Sequence, residues 1–338
     1  MVINSKTHPF VSIVVATYNG ESYIANCIKS LLMQSYPRER REIIVVIDPK
    51  TSDCTEQIVS EFPVTVLLGP RGGPASCRNE GLENTKGKII AFIDDDSVAD
   101  KYWLENLVSH FPDPEIAGVG GRPVDPNEGV FHEYNRIIGG LLADEPVEAQ
   151  EDGKIYISKE NYITLPTANI CYLRKVFREV GGFDTRFKRA AAEDRDLLWK
   201  ILKKDYKLVY DPTAITYHYG IPSTFRTLVR KTYLMGQERI QFYKKHPDFL
   251  KYVKAHKTVK RTLVQFFCLL ILFAVVCIFI PLQYVAAIMC IGYMGLTIRY
   301  SFKKPKGGIK HAIFFPLLKL ATYVAWNLGV ISGKLRYG

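Results

Sequence analysis

The chain has 338 residues, of which 47% are hydrophobic, and its 45 Lys plus Arg and 34 Asp plus Glu residues give a net charge of +11. Positions 251–338 hold 13 of the basic residues and no acidic one, which leaves 32 basic and 34 acidic residues in positions 1–250. Because a nucleic-acid-binding protein usually carries its basic residues on the folded domain, this distribution excludes nucleic acid as the expected partner and favours a membrane surface.

The first part of the chain alternates predicted strands with predicted helices. Apolar runs at positions 10–16, 42–48 and 64–68 predict buried strands, and helical patterns follow them at 22–34, 53–62 and 75–84. This alternation predicts a parallel α/β sheet. The chain contains no glycine-rich P-loop or dinucleotide-binding motif after the first strand, which disfavours those folds.

The central feature is an apolar run at positions 89–93 that ends in Asp94, Asp95 and Asp96. Three adjacent carboxylates repel one another and are costly unless a cation lies among them. In open α/β sheets, ligands bind at the carboxyl ends of the strands. We therefore predict a divalent-metal site that holds a diphosphate. The alternative is a helix N-cap with a solvated acidic turn, because positions 103–111 have helical periodicity.

The second half of the folded region is less regular. Glycines at positions 118–121 predict a strand followed by a turn, and we interpret the irregular stretch to about position 165 as an insert on the side of the site where a second substrate would bind. Further predictions are a helix at 172–180, an amphipathic helix at 193–204, a strand pair or a strand and turn at 209–219, and a basic amphipathic connector at 223–245.

The C-terminal region contains two uncharged apolar segments, 262–281 and 282–298. Each is close to the roughly 20 residues that cross a bilayer. Basic residues on both sides and an uncharged turn between them predict a hairpin with both ends in the cytoplasm. The alternative is a buried hairpin in a soluble protein. A third segment, 312–332, contains Lys319 and Pro316, and it either spans the membrane or lies in its interface.

The expected location follows from both ends of the chain. Positions 1–9 are polar and lack the apolar core of a signal peptide. The seven cysteines include no C-x-x-C pair, which is typical of reduced thiols. We therefore expect a multi-pass protein of the cell membrane with its large N-terminal domain on the cytoplasmic side.

Several separated motifs within positions 10–240 resemble those of glycosyltransferase family 2. They are VSIVVATYNG at 11–20, IDPKTSDCT at 47–55, CRNEG at 77–81, IDDDS at 93–97, TANICYLRKVFREVGGFD at 167–184 and EDRDL at 193–197. The chain departs from the family pattern at Ala16, Pro49, Lys50 and Cys54, and it lacks the Q-x-x-R-W signature of processive synthases.

The resemblance implies an α/β fold of the GT-A type, with a mostly parallel sheet flanked by helices and followed by the transmembrane hairpin and third apolar segment. It divides the chain into a cytosolic glycosyltransferase domain at 1–222, a basic amphipathic connector at 223–261 and membrane segments at 262–338. The implied donor is a nucleotide sugar, and the implied acceptor is a lipid-linked or membrane glycan.

The resemblance also implies roles for residues that bind the nucleotide. Thr17 would contact the nucleoside, and Asp48 would accept a hydrogen bond from a uracil-like imide. Arg78 would pair with Asp48 or meet the nucleotide. Asp94 would serve the ribose or a metal-bound water. Asn169 is a candidate for the acceptor or sugar pocket.

The metal and the chemistry are implied in the same way. Asp96 would contact Mg²⁺ or Mn²⁺ directly, together with Asp94, and His218 would complete the shell unless it is a structural hydrogen bonder. Hard divalent cations suit carboxylate and diphosphate oxygens. Asp194 would be the general base, whereas the alternative for EDRDL is helix capping, with Glu193 or Asp196 in that role.

We therefore expect inverting, metal-dependent transfer of a sugar from a uridine diphosphate sugar to a hydroxyl of a membrane-held or lipid-linked glycan. One alternative is a polyprenyl-phosphate glycosyltransferase, whose acceptor is already an anion and needs no base. An alternative of another class is a nucleotidyltransferase, which also uses aspartates and a metal.

Overall fold

The computed structural model describes residues 8–138, 153–160, 162–252, 268 and 308–337. The chain divides into two compact units. The first comprises Met1–Asn127 and Gly140–Ile221, and the second comprises Glu128–Gly139 and Pro222–Gly338.

The first unit is built on a mixed sheet. Its strands are β1 (Val11–Thr17), β2 (Arg41–Ile47), β3 (Thr65–Leu68), β4 (Ile89–Asp94), β5 (Ser97–Ala99), β6 (Ile116–Val124), β7 (Ile155–Ile157), β8 (Ile170–Leu173) and β9 (Lys207–His218). Their order in the sheet is β3-β2-β1-β4-β8-β6-β9-β5, and β7 also pairs with β9.

The helices lie in both units. Those of the first unit are α1 (Ile24–Leu32), α2 (Thr55–Ser60), α3 (Pro74–Glu83), α4 (Trp103–Val108), α6 (Arg174–Val180) and α7 (Glu193–Leu202). Those of the second unit are α5 (Val130–Ile138), α8 (Phe225–Lys245), α9 (Phe249–Tyr252) and α10 (Gly308–Tyr337).

Parallel pairing of β1 with β2 and with β4 creates the edge that carries the polar residues. Thr17 lies opposite Ile47 in one pair, and Ala16 lies opposite Asp94 in the other. The carboxyl ends of these three strands therefore meet. Apolar residues of β1, such as Ile13 and Val15, are fully buried in the core together with Trp103 of α4.

The sheet is mixed rather than mostly parallel, which corrects the sequence-based prediction. β8 runs antiparallel to both β4 and β6, and β5 and β7 run antiparallel to β9. Apolar periodicity reports which residues are buried, but it carries no information about the direction of a neighbouring strand.

Three predicted elements also differ from the structure. The helix predicted from position 172 begins at Arg174, because the preceding residues form β8. The region 209–219 belongs mainly to one long strand, β9, instead of two strands. The glycines at 118–121 lie inside β6, where a Cβ atom on Gly118 would lie 2.4 Å from the Tyr172 ring. They permit close packing and do not form a turn.

The described elements of the second unit are helices. Helix α8 begins with a capping box, in which Thr224 Oγ1 accepts from the Thr227 backbone N–H at 3.2 Å and the Thr224 N–H donates to Thr227 Oγ1. Helices α8 and α10 approach each other through glycines. A Cβ atom on Gly329 would lie 2.1 Å from the Tyr233 carbonyl oxygen, so only glycine fits there.

The predicted membrane segments are described only in part. Positions 262–281 and 282–298 lie outside the described residues, except for Cys268, whereas 312–332 lies within α10. Among the helices in the described ranges, none has both the length and the apolar character needed to cross a membrane.

Candidate active site

Asp94, Asp96 and His218 converge at the carboxyl edge of the sheet. One potential ligand atom from each of these residues lies within 4.8 Å of the others. Strand β4 ends at Asp94, and the antiparallel pairing of β5 with β9 places Ser97 opposite His218. Two carboxylates and an imidazole form a donor set that suits a divalent transition metal such as Mn²⁺.

The position of Asp96 fits such an ion. Its Oδ1 atom is buried and lies 3.0 Å from His218 Nδ1, which in turn lies 2.9 Å from Ser97 Oγ. The Asp96 carboxylate lies directly against the backbone at Gly220, where a Cβ atom would lie 1.7 Å from Asp96 Oδ2. Glycine is therefore needed at position 220 to leave room for this carboxylate.

The middle aspartate of the triplet has a different partner. Thr17 Oγ1 donates to Asp95 Oδ2 at 2.5 Å. The pKa of Asp95 is raised to about 7, mainly by burial and further by Asp96 and Asp94, whereas the Thr17 hydrogen bond acts against the rise. The Thr17–Asp95 bond thus links the end of β1 to the acidic triplet.

Arg78 is a buried cation between two carboxylates. Its Nη2 donates to Asp94 Oδ1 at 2.9 Å, and its Nη1 donates to Glu193 Oε1 at 2.7 Å. Burial alone would lower the pKa of Arg78, but Asp94 and Glu193 outweigh burial and raise it. The predicted pairing of Arg78 with Asp48 is therefore wrong, since its carboxylate partners are Asp94 and Glu193.

Glu193 is the site residue whose role sequence reasoning missed. Besides binding Arg78, its Oε2 accepts from the backbone N–H groups of Ala191 at 2.9 Å and Ala192 at 3.1 Å. These bonds order the two residues just before α7, and they differ from the helix cap of the alternative, because the N-cap residue Ala192 has no side-chain hydrogen bond to the helix. The motif EDRDL signals an acidic first turn, but it cannot identify the arginine that this glutamate meets.

Asp194 lies in the first turn of α7 and is partly buried. Its Oδ1 accepts from the Arg195 backbone N–H at 2.6 Å. Burial raises the pKa of Asp194, Arg195 and Arg78 act against the rise, and Asp94 adds to it. Asp194 is thus electrostatically coupled to the same residues that join α7 to β4.

Asp48 and Thr17 lie together at the ends of β2 and β1. The Asp48 backbone N–H donates to the Thr17 carbonyl oxygen at 2.9 Å, and Asp48 Oδ1 accepts from the Lys50 N–H at 2.9 Å. The following loops are tied by a bond from the Gly20 N–H to Thr55 Oγ1 at 2.8 Å. These contacts fix the backbone at the edge of the sheet where the nucleoside is predicted to bind.

Asn169 lies in the core and not in an acceptor pocket, which corrects that prediction. It is fully buried. Its Oδ1 accepts from Trp103 Nε1 at 2.8 Å, and its Nδ2 donates to the Ala214 carbonyl oxygen at 2.9 Å. These bonds satisfy both ends of the amide, so its role is structural.

Comparison with known protein families and solved structures identifies the chain as a glycosyltransferase with a GT-A-like fold that uses nucleotide-sugar donors. The family described as "Glycosyl transferase family 2" matches residues 12–181, which is half of the chain. "Glycosyltransferase like family 2" matches residues 150–267. The chain belongs to glycosyltransferase family 2.

Individual relatives support this assignment. Glycosyltransferase AglE of Haloferax volcanii is 27% identical over 249 residues, covering 71% of this chain and 76% of AglE. A dolichyl N-acetyl-α-D-glucosaminyl phosphate 3-β-D-2,3-diacetamido-2,3-dideoxy-β-D-glucuronosyltransferase of Methanococcus voltae is 23% identical over 240 residues, covering 67% of this chain and 72% of that protein.

A solved structure shares the fold. The mannosyltransferase PcManGT from Pyrobaculum calidifontis, in complex with GDP-Man and Mn²⁺, superposes with a TM-score of 0.63. It is 20% identical, and the match covers 95% of this chain and 88% of that protein.

Proposed function

We propose that this chain transfers a sugar, with inversion, from a uridine diphosphate sugar to a hydroxyl of a lipid-linked or membrane-held glycan. The observation that carries this proposal is the continuous connection across the site. The group of Asp94, Asp96 and His218 is joined through Arg78 to Glu193, the residue next to Asp194. The metal that binds the diphosphate and the base that deprotonates the acceptor would thus act in the same transfer reaction.

In this proposal Asp94, Asp96 and His218 hold Mg²⁺ or Mn²⁺. When bound, the metal stabilises the negative charge of the departing nucleoside diphosphate. The donor set and the Mn²⁺ in PcManGT support a divalent ion. Asp94 is held toward the site by Arg78, and Asp96 by its contacts with His218 and Gly220.

Thr17 and Asp48 take the nucleoside. A buried carboxylate at the end of β2 can accept a hydrogen bond from a ring N–H flanked by carbonyl groups. Uracil carries such an N–H, whereas guanine, the base of the donor bound to PcManGT, offers a ring N–H between one carbonyl group and an amino-bearing carbon. A screen of uridine and guanosine donors therefore decides which base the donor carries.

Asp194 acts on the acceptor. It takes the proton of the acceptor hydroxyl as that oxygen attacks the anomeric carbon of the donor sugar. The new bond joins the acceptor oxygen to the anomeric carbon, and the bond from that carbon to the diphosphate oxygen breaks. Because attack occurs opposite the leaving group, the anomeric configuration inverts. The burial that raises the pKa of Asp194 makes it a stronger base once it is ionised.

The acceptor and the location are inferred from the chain outside the catalytic unit. Positions 251–338 are basic and contain the two uncharged segments, which supports a cell-membrane protein whose catalytic domain faces the cytoplasm. The name of the M. voltae relative specifies a sugar carried on a dolichyl phosphate. A lipid-linked glycan offers the hydroxyl that a general base requires.

A donor screen tests the proposal. The full chain is incubated with Mn²⁺, native membranes as acceptor and each of several UDP and GDP sugars, and released nucleotides are measured. We expect nucleoside diphosphate from one uridine donor and a lipid-extractable labelled sugar. Release of a sugar 1-phosphate from these donors, or of pyrophosphate in a parallel incubation with a nucleoside triphosphate and a sugar 1-phosphate, would identify a nucleotidyltransferase instead. A product in which the sugar is joined directly to polyprenyl phosphate would identify the alternative acceptor.

A further inference from the structure

Helix α10 presents large apolar side chains on a face that nothing in the described residues covers. We call this set the apolar stripe. It consists of Phe314, Leu317, Leu320, Leu328 and Leu335, whose exposed fractions range from 46% to 85%. Exposed leucines are ordinary when they are scattered, but an aligned set indicates a contact surface.

The apolar stripe follows the helical repeat. At about 100° per residue, its five members fall within an arc of about 120°. The stripe runs for about 30 Å along the helix at the usual rise of about 1.5 Å per residue. On the opposite face, Gly329, Val330 and Gly333 pack closely against α8. One side of α10 therefore already belongs to the helical unit, and the stripe faces away from it.

The charged residues beside the apolar stripe indicate which kind of surface it contacts. Lys334 and Arg336 are exposed and fall on either side of the apolar stripe at its C-terminal end. Positions 251–338 contain no acidic residue. A surface that accepts apolar side chains at its centre and cations at its margins is the interface of an anionic bilayer, where the rings and leucines enter the acyl boundary and the cations meet phosphate headgroups.

We propose that α10 lies in the plane of an anionic membrane surface with its apolar stripe inserted into the interface. This goes beyond the proposed function, which requires neither this helix nor this orientation. It rests on side chains of the second unit alone, so sugar transfer and lipid contact can fail independently.

Site-specific photocrosslinking tests the proposal in the full chain. Benzoylphenylalanine replaces Leu317 in one variant and Leu328 in another. The matched control carries it at Lys319, which is exposed on α10 but lies outside the stripe. Each protein is bound to vesicles of phosphatidylcholine and phosphatidylglycerol that carry a tagged lipid, and is then irradiated. We expect lipid labelling at both stripe positions to exceed that at position 319 several-fold.

A second arm tests the charge requirement. The Lys334→Gln/Arg336→Gln change is made in the protein that carries benzoylphenylalanine at position 317. On vesicles that contain phosphatidylglycerol, its lipid labelling should fall to the level that the protein without these two changes shows on vesicles of phosphatidylcholine alone. Crosslinking of the stripe positions to a second copy, or to residues 262–298 of the same chain, would overturn the proposal. Equal lipid labelling at positions 317, 328 and 319 would overturn it too. Failure to label lipid at both stripe positions would overturn it as well.

Discussion

Arg78 Nη1 lies 2.7 Å from Glu193 Oε1, in a contact between two buried side chains that joins α3 to the first turn of α7. The same guanidinium holds Asp94 at 2.9 Å. One cation thus ties the end of β4, where the proposed metal binds, to the turn that carries Asp194. Because all three groups are largely removed from water, the loss of one leaves uncompensated charge.

We predict that Arg78→Met destabilises the protein by about 3–5 kcal/mol, the usual cost of breaking a buried ion pair from one side. Denaturant unfolding of the purified full chain measures the change. The matched control is Lys207→Ala, which removes an exposed partner of Glu115 and should change stability little. Equal midpoints for wild type and Arg78→Met would show that the bridge is not needed for the fold.

Asp96→Ala should lose Mn²⁺-dependent nucleotide binding, with affinity falling by at least about tenfold, because a direct ligand is removed. Asp95→Asn is the control, since its amide oxygen can still accept from Thr17 Oγ1 and Asp95 lies outside the proposed ligand set. Titration calorimetry with UDP at fixed Mn²⁺ compares the two. Unchanged metal-dependent affinity in Asp96→Ala would contradict the metal assignment.

His218→Asn separates a ligand from a structural hydrogen bonder. An asparagine can still bond to Ser97, which lies 2.9 Å from the imidazole, but it is a weaker donor to a transition metal. We expect the Mn²⁺ concentration for half-maximal UDP binding to rise on the order of tenfold, with the melting temperature of the metal-free protein nearly unchanged. A lower melting temperature with normal Mn²⁺ dependence would assign His218 a structural role.

Asp194→Asn should reduce turnover by roughly 10²–10⁴, the usual contribution of a general base. Donor affinity should hardly change, because proton removal belongs to the transition state. The asparagine oxygen can replace Asp194 Oδ1 as acceptor of the Arg195 N–H. Steady-state kinetics and donor titration provide the two measurements. Near-normal turnover with a hydroxyl acceptor would refute the base, whereas the same result with a lipid-phosphate acceptor would favour the polyprenyl-phosphate alternative.

The pH dependence of kcat/KM gives a second signature of this base. Burial raises the pKa of Asp194 above its ordinary value, and a base acts only when it is ionised. The value of kcat/KM should therefore reach its plateau above this raised pKa and should fall as the pH decreases through it. Asp194→Asn should lack that acidic limb. A limb of the same midpoint in both proteins would assign the titration to another group.

Gly329→Ala should destabilise the helical unit even though alanine is the better helix former. A Cβ atom at this position would lie 2.1 Å from the Tyr233 carbonyl oxygen, so α8 and α10 would have to separate. Overpacking of this kind costs about 1–3 kcal/mol. Thermal melting followed by circular dichroism measures it. Stabilisation, the usual result where a glycine is unconstrained, would show that the helices do not cross so closely.

The sequence determined the parts of this protein that depend on local pattern. The apolar runs that become β1, β2 and β4 are nearly continuous because these strands are buried on both faces, so their ends were predictable within about a residue. Because parallel strands end at one edge, Thr17, Asp48 and the acidic triplet could be placed at a single site. The acidic triplet then indicated a metal that holds a diphosphate, and the resemblance to glycosyltransferase family 2 implied nucleoside contacts for Thr17 and Asp48.

Only the tertiary structure decided which distant residues complete that site. The antiparallel direction of β5 against β9 brings His218 to Ser97 and Asp96, and Arg78 finds its partners in β4 and α7. Neither pairing leaves a trace in local periodicity, because strand direction and long-range ion pairs depend on how the chain packs and not on the spacing of its apolar residues. Asn169 was misassigned for the same reason: its residue type fits a binding pocket, but packing places it beside Trp103 in the core.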